Sequence, residues 1–166
     1  MDASLALEII AIFVLIFANA FFVFSEFAII SSRKSRLKQL AEDGHSGAVT
    51  AEKLHASPER FLAGVQVAIT ALGTLAAVFG GATIVEKLEV WLAGLPTEFI
   101  AHASQPIAVG IVAIALTIAS VVLGELVPKY LALSNPETCA RLVARPVSLF
   151  LSVTSIFARI LSGLAA

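Results

Sequence analysis

The sequence predicts an all-α membrane protein with three transmembrane helices and further helices at the membrane surface. The chain has 166 residues, of which 58% are hydrophobic and 14% are charged, and its mean hydropathy is +0.95. Soluble domains carry about 25% charged residues, so this composition argues against a water-soluble fold. Three long apolar runs, separated by polar segments, provide the second observation. The third is the uneven distribution of Lys and Arg among those segments.

Each apolar run is long enough to cross a bilayer, because a helix needs about 20 residues to span about 30 Å of hydrocarbon. The predicted transmembrane helices cover residues 5–31, 61–85 and 106–133. The chain starts with Met1-Asp2, and Glu8 follows soon after. This start lacks the basic residues of a cleavable signal peptide, so we expect the first run to be retained as a helix.

Two polar segments separate the apolar runs. Residues 35–56 predict one or two short juxtamembrane helices, with a break near Gly44 and Gly47. Residues 86–105 are expected to form a loop, whose Trp91 suits a membrane interface.

The last segment, residues 137–164, is expected to form an amphipathic helix on the inner membrane surface. Its apolar core between Arg145 and Arg159 has only 13 residues. This core is short for a crossing, since about 20 residues are needed. A fourth transmembrane helix stays the alternative for this segment.

The distribution of basic residues predicts the orientation, because Lys and Arg accumulate on the cytoplasmic side of membrane proteins. Six basic residues lie between the first two apolar runs, and only Lys87 lies between the second and third. Four more basic residues come at the end of the third run or after it. The six are Arg33, Lys34, Arg36, Lys38, Lys53 and Arg60, and the four are Lys129, Arg141, Arg145 and Arg159. We therefore expect a multi-pass protein of the inner (plasma) membrane, with its N-terminus outside and its C-terminus in the cytoplasm.

Several functional classes find no support in the sequence. The net charge of −1 gives no reason to expect a nucleic-acid partner. Cys139 is the only cysteine, so it has no partner for an internal disulfide, and it shows no zinc-site spacing with the three histidines. An intramembrane protease needs a serine with a histidine, or two aspartates, within the membrane, whereas the histidines here fall in predicted loops. We therefore expect no enzyme.

The segment 124–129 (GELVPK) is the strongest candidate for chemistry. Glu125 lies deep in the third predicted helix, where an unpaired carboxylate is costly and often marks an ion pathway. Pro128 has no N–H, so the carbonyl of Gly124 lacks its helical donor and is available to a cation. The alternative is an ion pair between Glu125 and Lys129, four residues apart, with the proline ending the helix. The sequence leaves both interpretations open.

Polar residues of the other two helices are expected at a similar depth, in the inner half of the membrane. Ser25 and Glu26 lie in the first helix, although Ser25 also fits close helix packing and Glu26 a side chain that reaches the inner interface. Gln66 and Thr70, in the second helix, are four residues apart and share a face.

Five residues are therefore candidate metal ligands: Ser25, Gln66, Thr70, Gly124 and Glu125. All would offer oxygen atoms, and no thiolate or imidazole is near. Such a set selects a hard cation such as Mg²⁺ or Na⁺ over Zn²⁺ or Cu⁺.

Three stretches of the chain also carry a family resemblance. They are residues 19–33 (NAFFVFSEFAIISSR), 61–81 (FLAGVQVAITALGTLAAVFGG) and 124–129 (GELVPK). They resemble the transmembrane (DUF21) domain of the CorC/CNNM family of magnesium transporters, in its hemolysin C-like bacterial branch. The resemblance covers nearly the whole chain.

The resemblance implies Mg²⁺ efflux coupled to Na⁺, a homodimer, and cytosolic CBS domains downstream, which the chain does not contain before its last residue, Ala166. By motif position, Ser25 matches the polar position of the first helix, and Gly124 and Glu125 match a bend near the bound Mg²⁺. Many relatives have asparagines in the second helix, where this chain has Gln66 and Thr70 as the nearest polar groups.

Two functions follow as hypotheses. The first is transport of a divalent cation, most simply Mg²⁺, through an inward-facing, oxygen-lined site in a homodimer within the lipid bilayer. The alternative is a membrane anchor that transports nothing, in which ion binding stabilises a dimer and reports to a cytosolic regulatory partner. Ion flux in liposomes that contain only this chain separates the two hypotheses.

Overall fold

The computed structural model describes residues 3–164, and over this range the chain forms α-helices joined by short turns. The helices are α1 (Ala3–Ser31), α2 (Lys34–Glu42), α3 (Ser46–Ala56), α4 (Pro58–Phe79), α5 (Ala82–Ala93), α6 (Glu98–His102), α7 (Ser104–Val121), α8 (Val127–Ser134) and α9 (Pro136–Leu164). A single π-helical turn, Val122–Leu126, joins α7 to α8. We call this segment the π turn.

Three helical segments are long and apolar enough to cross a membrane. They are Ala3–Ser31, Pro58–Ala93 and Ser104–Ser134. The predicted fold class, an all-α membrane protein with three transmembrane helices, is therefore confirmed. Helix α9 is as long as α1, with 29 residues, but among the described residues it is not apolar enough to count as a fourth candidate span.

The second membrane-spanning segment is broken at Gly80-Gly81. Helix α4 has 22 residues, about 33 Å at 1.5 Å per residue, so it crosses the bilayer without α5. Gly81 has φ +97°, a left-handed conformation that favours glycine. A Cβ there would also lie 2.8 Å from Cγ1 of Val112 on α7. Beyond this break the chain packs mainly against α7.

The prediction of a loop over residues 86–105 was wrong. Helix α5 continues to Ala93, and α6 covers Glu98–His102. The charges at 86, 87 and 89 interrupt the hydropathy, but Ile84, Leu88 and Leu92 recur every four residues and give α5 an inward face. The carboxylate of Glu8 on α1 accepts hydrogen bonds from the backbone N–H of Thr83 at 3.0 and 3.2 Å, which ties the start of α5 to α1.

The buried core lies at one end of the three spans, where α2, α3 and α9 gather around α1. Helix α1 packs against α4, α8, α9 and the π turn. The cluster contains small and apolar side chains from these helices, among them Ala28, Ile29, Leu37, Ala51, Phe61, Val65, Ala140, Ala144 and Val147. Toward the start of α1 most side chains are exposed, as expected where lipid or another subunit replaces a protein core.

Helix α9 has the two-sided character expected of a surface helix. Ala140, Val143, Ala144 and Val147, at helical spacing, are buried against the core, whereas Arg145 is exposed. The helix packs mainly against α3 and α1. Its position on the inner membrane surface stays a prediction.

The break between α2 and α3 lies at Gly44, whose φ is +88°. Gly47 does not contribute to the break. It lies inside α3, where a Cβ would overlap the backbone carbonyl oxygen of Arg141 on α9. Gly47 therefore allows α3 and α9 to approach at backbone distance.

We predict that Gly47→Ala destabilises the protein by about 1–3 kcal/mol, the usual cost of overpacking a tight contact. A lowered melting temperature in detergent would show this. The matched control is Gly110→Ala in α7, where a Cβ meets nothing within 4 Å. Replacing glycine by alanine inside a helix raises helix propensity by about 1 kcal/mol in both variants. Equal melting temperatures for the two variants would therefore contradict the close contact.

Candidate cation site at the π turn

The π turn interrupts the third membrane span in its second half. Gly124 lies ten residues before Ser134, the last residue of α8, which places it about 15 Å from that end. The backbone N–H of Val127 bonds to the carbonyl of Val122, five residues back. Pro128 immediately follows and supplies no N–H, so the backbone here departs from the regular α-helical pattern.

The carbonyl of Gly124 is not left without a donor. The side-chain amide of Asn19 on α1 donates a hydrogen bond to it, with 3.2 Å between Nδ2 and the oxygen. Gly124 gives this approach room, since a Cβ would lie 3.3 Å from that nitrogen, closer than an ordinary van der Waals contact. The expectation of a wholly free carbonyl is thus corrected, although an amide oxygen has a second lone pair.

Asn19 also presents a buried oxygen without a partner. Its Oδ1 makes no hydrogen bond to any described residue and is shielded from solvent by the chain itself. A buried amide oxygen that accepts nothing is costly, so such atoms usually have a water, an ion or another partner. Asn19 lies in one of the stretches that carry the family resemblance but is not among the five candidate ligands predicted from the sequence. The missing information was its contact with Gly124, 105 residues away.

Two contacts align α1 with the π turn and α8. Asn19 meets Gly124, and the ammonium of Lys129 lies 4.6 Å from the ring centroid of Phe27. Eight residues of α1, about 12 Å, separate these contacts. Ser25 lies between them, fully buried, and its hydroxyl donates to the carbonyl of Phe21 at 2.6 Å. Ser25 is thus bound to its own helix, while its oxygen keeps accepting capacity.

Glu125 is exposed and has no ion-pair or hydrogen-bond partner among the described residues. The alternative drawn from the sequence, an ion pair with Lys129, is not formed in the structure. The Lys129 ammonium lies over Phe27 instead. A carboxylate within a membrane span, without a partner among the described residues, must meet water, a cation or another subunit.

The two candidate residues of the second span lie apart from this arrangement. Gln66 and Thr70 are both exposed, whereas the inward face of α4 consists of Phe61, Val65 and Ala68. The described residues bring neither side chain into a hydrogen bond with the residues of the π turn. Within one chain, the structure therefore brings Asn19 into contact with Gly124, the residue before Glu125, whereas Gln66 and Thr70 lie on the exposed face of α4.

These groups suit a cation that prefers oxygen. Within the described residues no group of three or more His, Cys, Asp or Glu side chains is placed to hold a metal ion. The available atoms are the Asn19 amide oxygen, the Glu125 carboxylate, the second lone pair of the Gly124 carbonyl and the Ser25 hydroxyl. They fit Mg²⁺ or Na⁺, which accept neutral oxygen ligands and water, better than a metal that needs thiolates or imidazoles.

Comparison with known proteins now decides the family. The chain matches the family model of the cyclin M (CNNM) transmembrane N-terminal domain over residues 9–166. The chain belongs to this family. Cyclin M domains belong to membrane proteins related to ion transport or membrane anchoring, not to a known class of enzymes. The resemblance drawn from the three sequence stretches is confirmed.

Curated relatives share the domain. The chain is 41% identical to the UPF0053 protein sll0260 of Synechocystis over 93% of its own length and 34% of that protein. It is 33% identical to the UPF0053 protein YugS of Bacillus subtilis, over 97% of this chain and 37% of the relative. A shorter match, 37% identical, links 45% of the chain to 17% of a polyamine export protein of Salmonella typhimurium. The cyclin M chain thus spans about a third of the first two relatives.

We predict that Asn19→Leu destabilises the fold by about 1 kcal/mol, because it removes the donor to the Gly124 carbonyl within the membrane. Pro128→Ala in the same chain restores a backbone N–H near that carbonyl and should recover part of the loss. The measurement is a double-mutant cycle of unfolding free energies for the two changes. Thr74→Val, which removes a hydroxyl bonded only to the preceding turn of its own helix, should cost less. Strict additivity in the cycle would contradict a shared carbonyl.

Proposed function

We propose that this cyclin M domain binds a hard divalent cation, Mg²⁺, near the π turn and exports it as part of a Na⁺-coupled homodimeric transporter. The observation that carries the proposal is Glu125, an exposed carboxylate within a membrane span that has no partner among the described residues. The family relationship supports a role connected with ion transport.

Charge makes a cation the best occupant. Leaving an ionised carboxylate unpaired in hydrocarbon costs several kcal/mol, and such residues usually line ion or proton pathways. The nearest basic group along the helix, Lys129, is bound to the Phe27 ring and does not neutralise Glu125. A mobile cation would neutralise the carboxylate when present and leave it when transported.

The number of oxygens indicates that the site is shared with water or a second subunit. Mg²⁺ demands about six oxygens at 2.0–2.1 Å and gives up its waters reluctantly. Asn19, Glu125, Gly124 and Ser25 provide at most part of that shell. Retained waters in an inward-facing cavity would supply the rest. A homodimer that places the exposed faces of the spans together would exclude lipid from Glu125.

Gln66 and Thr70 fit this proposal as residues of the exposed face of α4. In the described structure they lie outside the inward face of α4. They would reach the ion only across a cavity or from the second subunit. We therefore assign them a lesser role than Glu125.

A membrane anchor that senses ions without transporting them is the second hypothesis, and the polyamine export protein suggests a third ligand class. Purified protein in liposomes separates all three. Mg²⁺ efflux that depends on Na⁺ supports the proposal. Mg²⁺-dependent stabilisation without flux would indicate the anchor. Stabilisation by spermidine, but not by Mg²⁺, would point to an organic polycation.

We predict that Glu125→Gln abolishes the Mg²⁺-dependent rise in melting temperature while the dimer stays folded. Binding at 100 times the dissociation constant stabilises a protein by about 2.7 kcal/mol, which is a measurable shift. Ser25→Ala should weaken the effect less, because water can replace a neutral ligand. Glu59→Gln, at the start of α4, removes the same charge elsewhere and serves as the control. An unchanged Mg²⁺ shift in Glu125→Gln would end the proposal.

We also predict the orientation that efflux requires, with the N-terminus outside and the α2–α3 and α9 segments in the cytoplasm. Single cysteines at positions 4 and 49, in a Cys139→Ala background, should react with a membrane-impermeant maleimide from opposite sides. Position 49 should react only after permeabilisation of intact cells. Labelling of position 49 from outside would reverse the assignment.

A further inference from the structure

A polar cavity of about 660 Å³ lies where the first and third spans end on the same side of the protein. Ser31, the last residue of α1, and Leu133, next to the last residue of α8, both line it. These positions put the cavity at a boundary between hydrocarbon and water, whichever way the chain is oriented. Its volume falls in the range of ordinary small-ligand sites, about 300–1,000 Å³.

Two guanidinium groups line the cavity without an acidic partner. Neither Arg33 nor Arg36 forms an ion pair within the described part of the chain, and Arg36 donates only to the side-chain oxygen of Gln39, at 2.7 Å. Ser31 and Ser35 add hydroxyl donors. Guanidinium groups bind phosphate oxygens in a fork geometry, and hydroxyl groups complete such sites.

One carboxylate also faces the cavity and must be weighed against these cations. Glu137, at the start of α9, accepts a hydrogen bond from the backbone N–H of Arg33 at 3.3 Å. Its charge opposes an anion, but two arginines in the lining leave a positive balance. Lys34, next to Arg33 and also without an ion pair among the described residues, adds to this balance.

The remaining walls indicate that the phosphate belongs to a lipid. Leu133 and Pro136 line the cavity, and the exposed side chain of Tyr130, three residues before Leu133 and so on the same face of α8, continues this largely apolar surface along the span. A free phosphate ion would not bind to an apolar surface, whereas the acyl chains of a phospholipid would lie along it. Basic pockets beside membrane spans bind anionic headgroups in this way.

We propose that this cavity binds the phosphate headgroup of an anionic phospholipid, with Arg33 and Arg36 as the phosphate ligands and α8 as the surface for the acyl chains. The site is separate from the π turn and does not depend on the proposed cation transport. Bound lipid would join the end of α1 to the turn between α8 and α9.

The test uses the purified chain in detergent and dioctanoyl phosphatidylglycerol as the probe, with bound lipid counted by native mass spectrometry. Each basic residue near an anionic surface contributes about 1 kcal/mol, so Arg33→Gln with Arg36→Gln should weaken binding at least tenfold. The control is Lys38→Gln with Lys53→Gln, which removes the same charge from α2 and α3 outside the cavity. It should change binding less than threefold. Glu137→Gln keeps an oxygen for the Arg33 N–H and should strengthen binding.

Two further probes identify the ligand. Dioctanoyl phosphatidylcholine should bind more weakly than phosphatidylglycerol, and inorganic phosphate at equal ionic strength should not displace the lipid. Equal losses in the arginine and lysine double variants would overturn the proposal, since binding would then follow net charge alone. Displacement by inorganic phosphate would overturn it in favour of a free-anion site. A melting temperature within 3 °C of the parent chain, without lipid, checks that each variant is folded.

Discussion

The hydrogen bond from Asn19 to the Gly124 carbonyl is the interaction on which the membrane part of the structure depends. In hydrocarbon no water satisfies an exposed backbone group, so every carbonyl released from a helix needs a partner within the protein. Pro128 removes the usual donor, and the π turn places the affected carbonyl beside α1. Together with the Lys129 ammonium over the Phe27 ring, this contact aligns the third span with the first and sets the level of Glu125 relative to Ser25.

The same arrangement explains why the site is chemically incomplete within one chain. Among the described residues, the main buried cluster forms where α2, α3 and α9 surround the ends of the spans. Nearer the middle of the membrane, α1 packs against α4 on one side and the π turn on another, and polar atoms there remain without partners. The firmly packed end provides a scaffold, while the region around Glu125 is left available to water, ions or another subunit.

Much of the fold could be predicted from hydropathy, because the cost of placing charge and backbone in lipid dominates the sequence pattern. The three spans, the break near Gly44 and the fold class follow from it. Helix α5 could not be recognised in this way, since Glu86, Lys87 and Glu89 hide its apolar spacing. At Gly47 the sequence predicts a helix break, because glycine often ends helices. Only the three-dimensional contact with Arg141 reveals that this glycine allows close packing. In the candidate site, Glu125 could be proposed from the sequence, because a carboxylate within an apolar run is unusual. The hydrogen bond between Asn19 and Gly124 could not be predicted, because the two residues meet only in the tertiary structure.

The wide separation of Asn19 and Gly124 along the chain sets an order of events during insertion into the membrane. The first span enters the bilayer when its partner, 105 residues later, has not yet been synthesised. Its amide therefore begins in lipid without the bond that it has in the folded protein. When the third span arrives, the N–H donor of the Asn19 amide and the carbonyl released by Pro128 satisfy each other in one contact. Helices that insert independently and then associate are stabilised by such late hydrogen bonds. The assembly of the domain is thus completed by its last span, which brings in the π turn and Glu125 together.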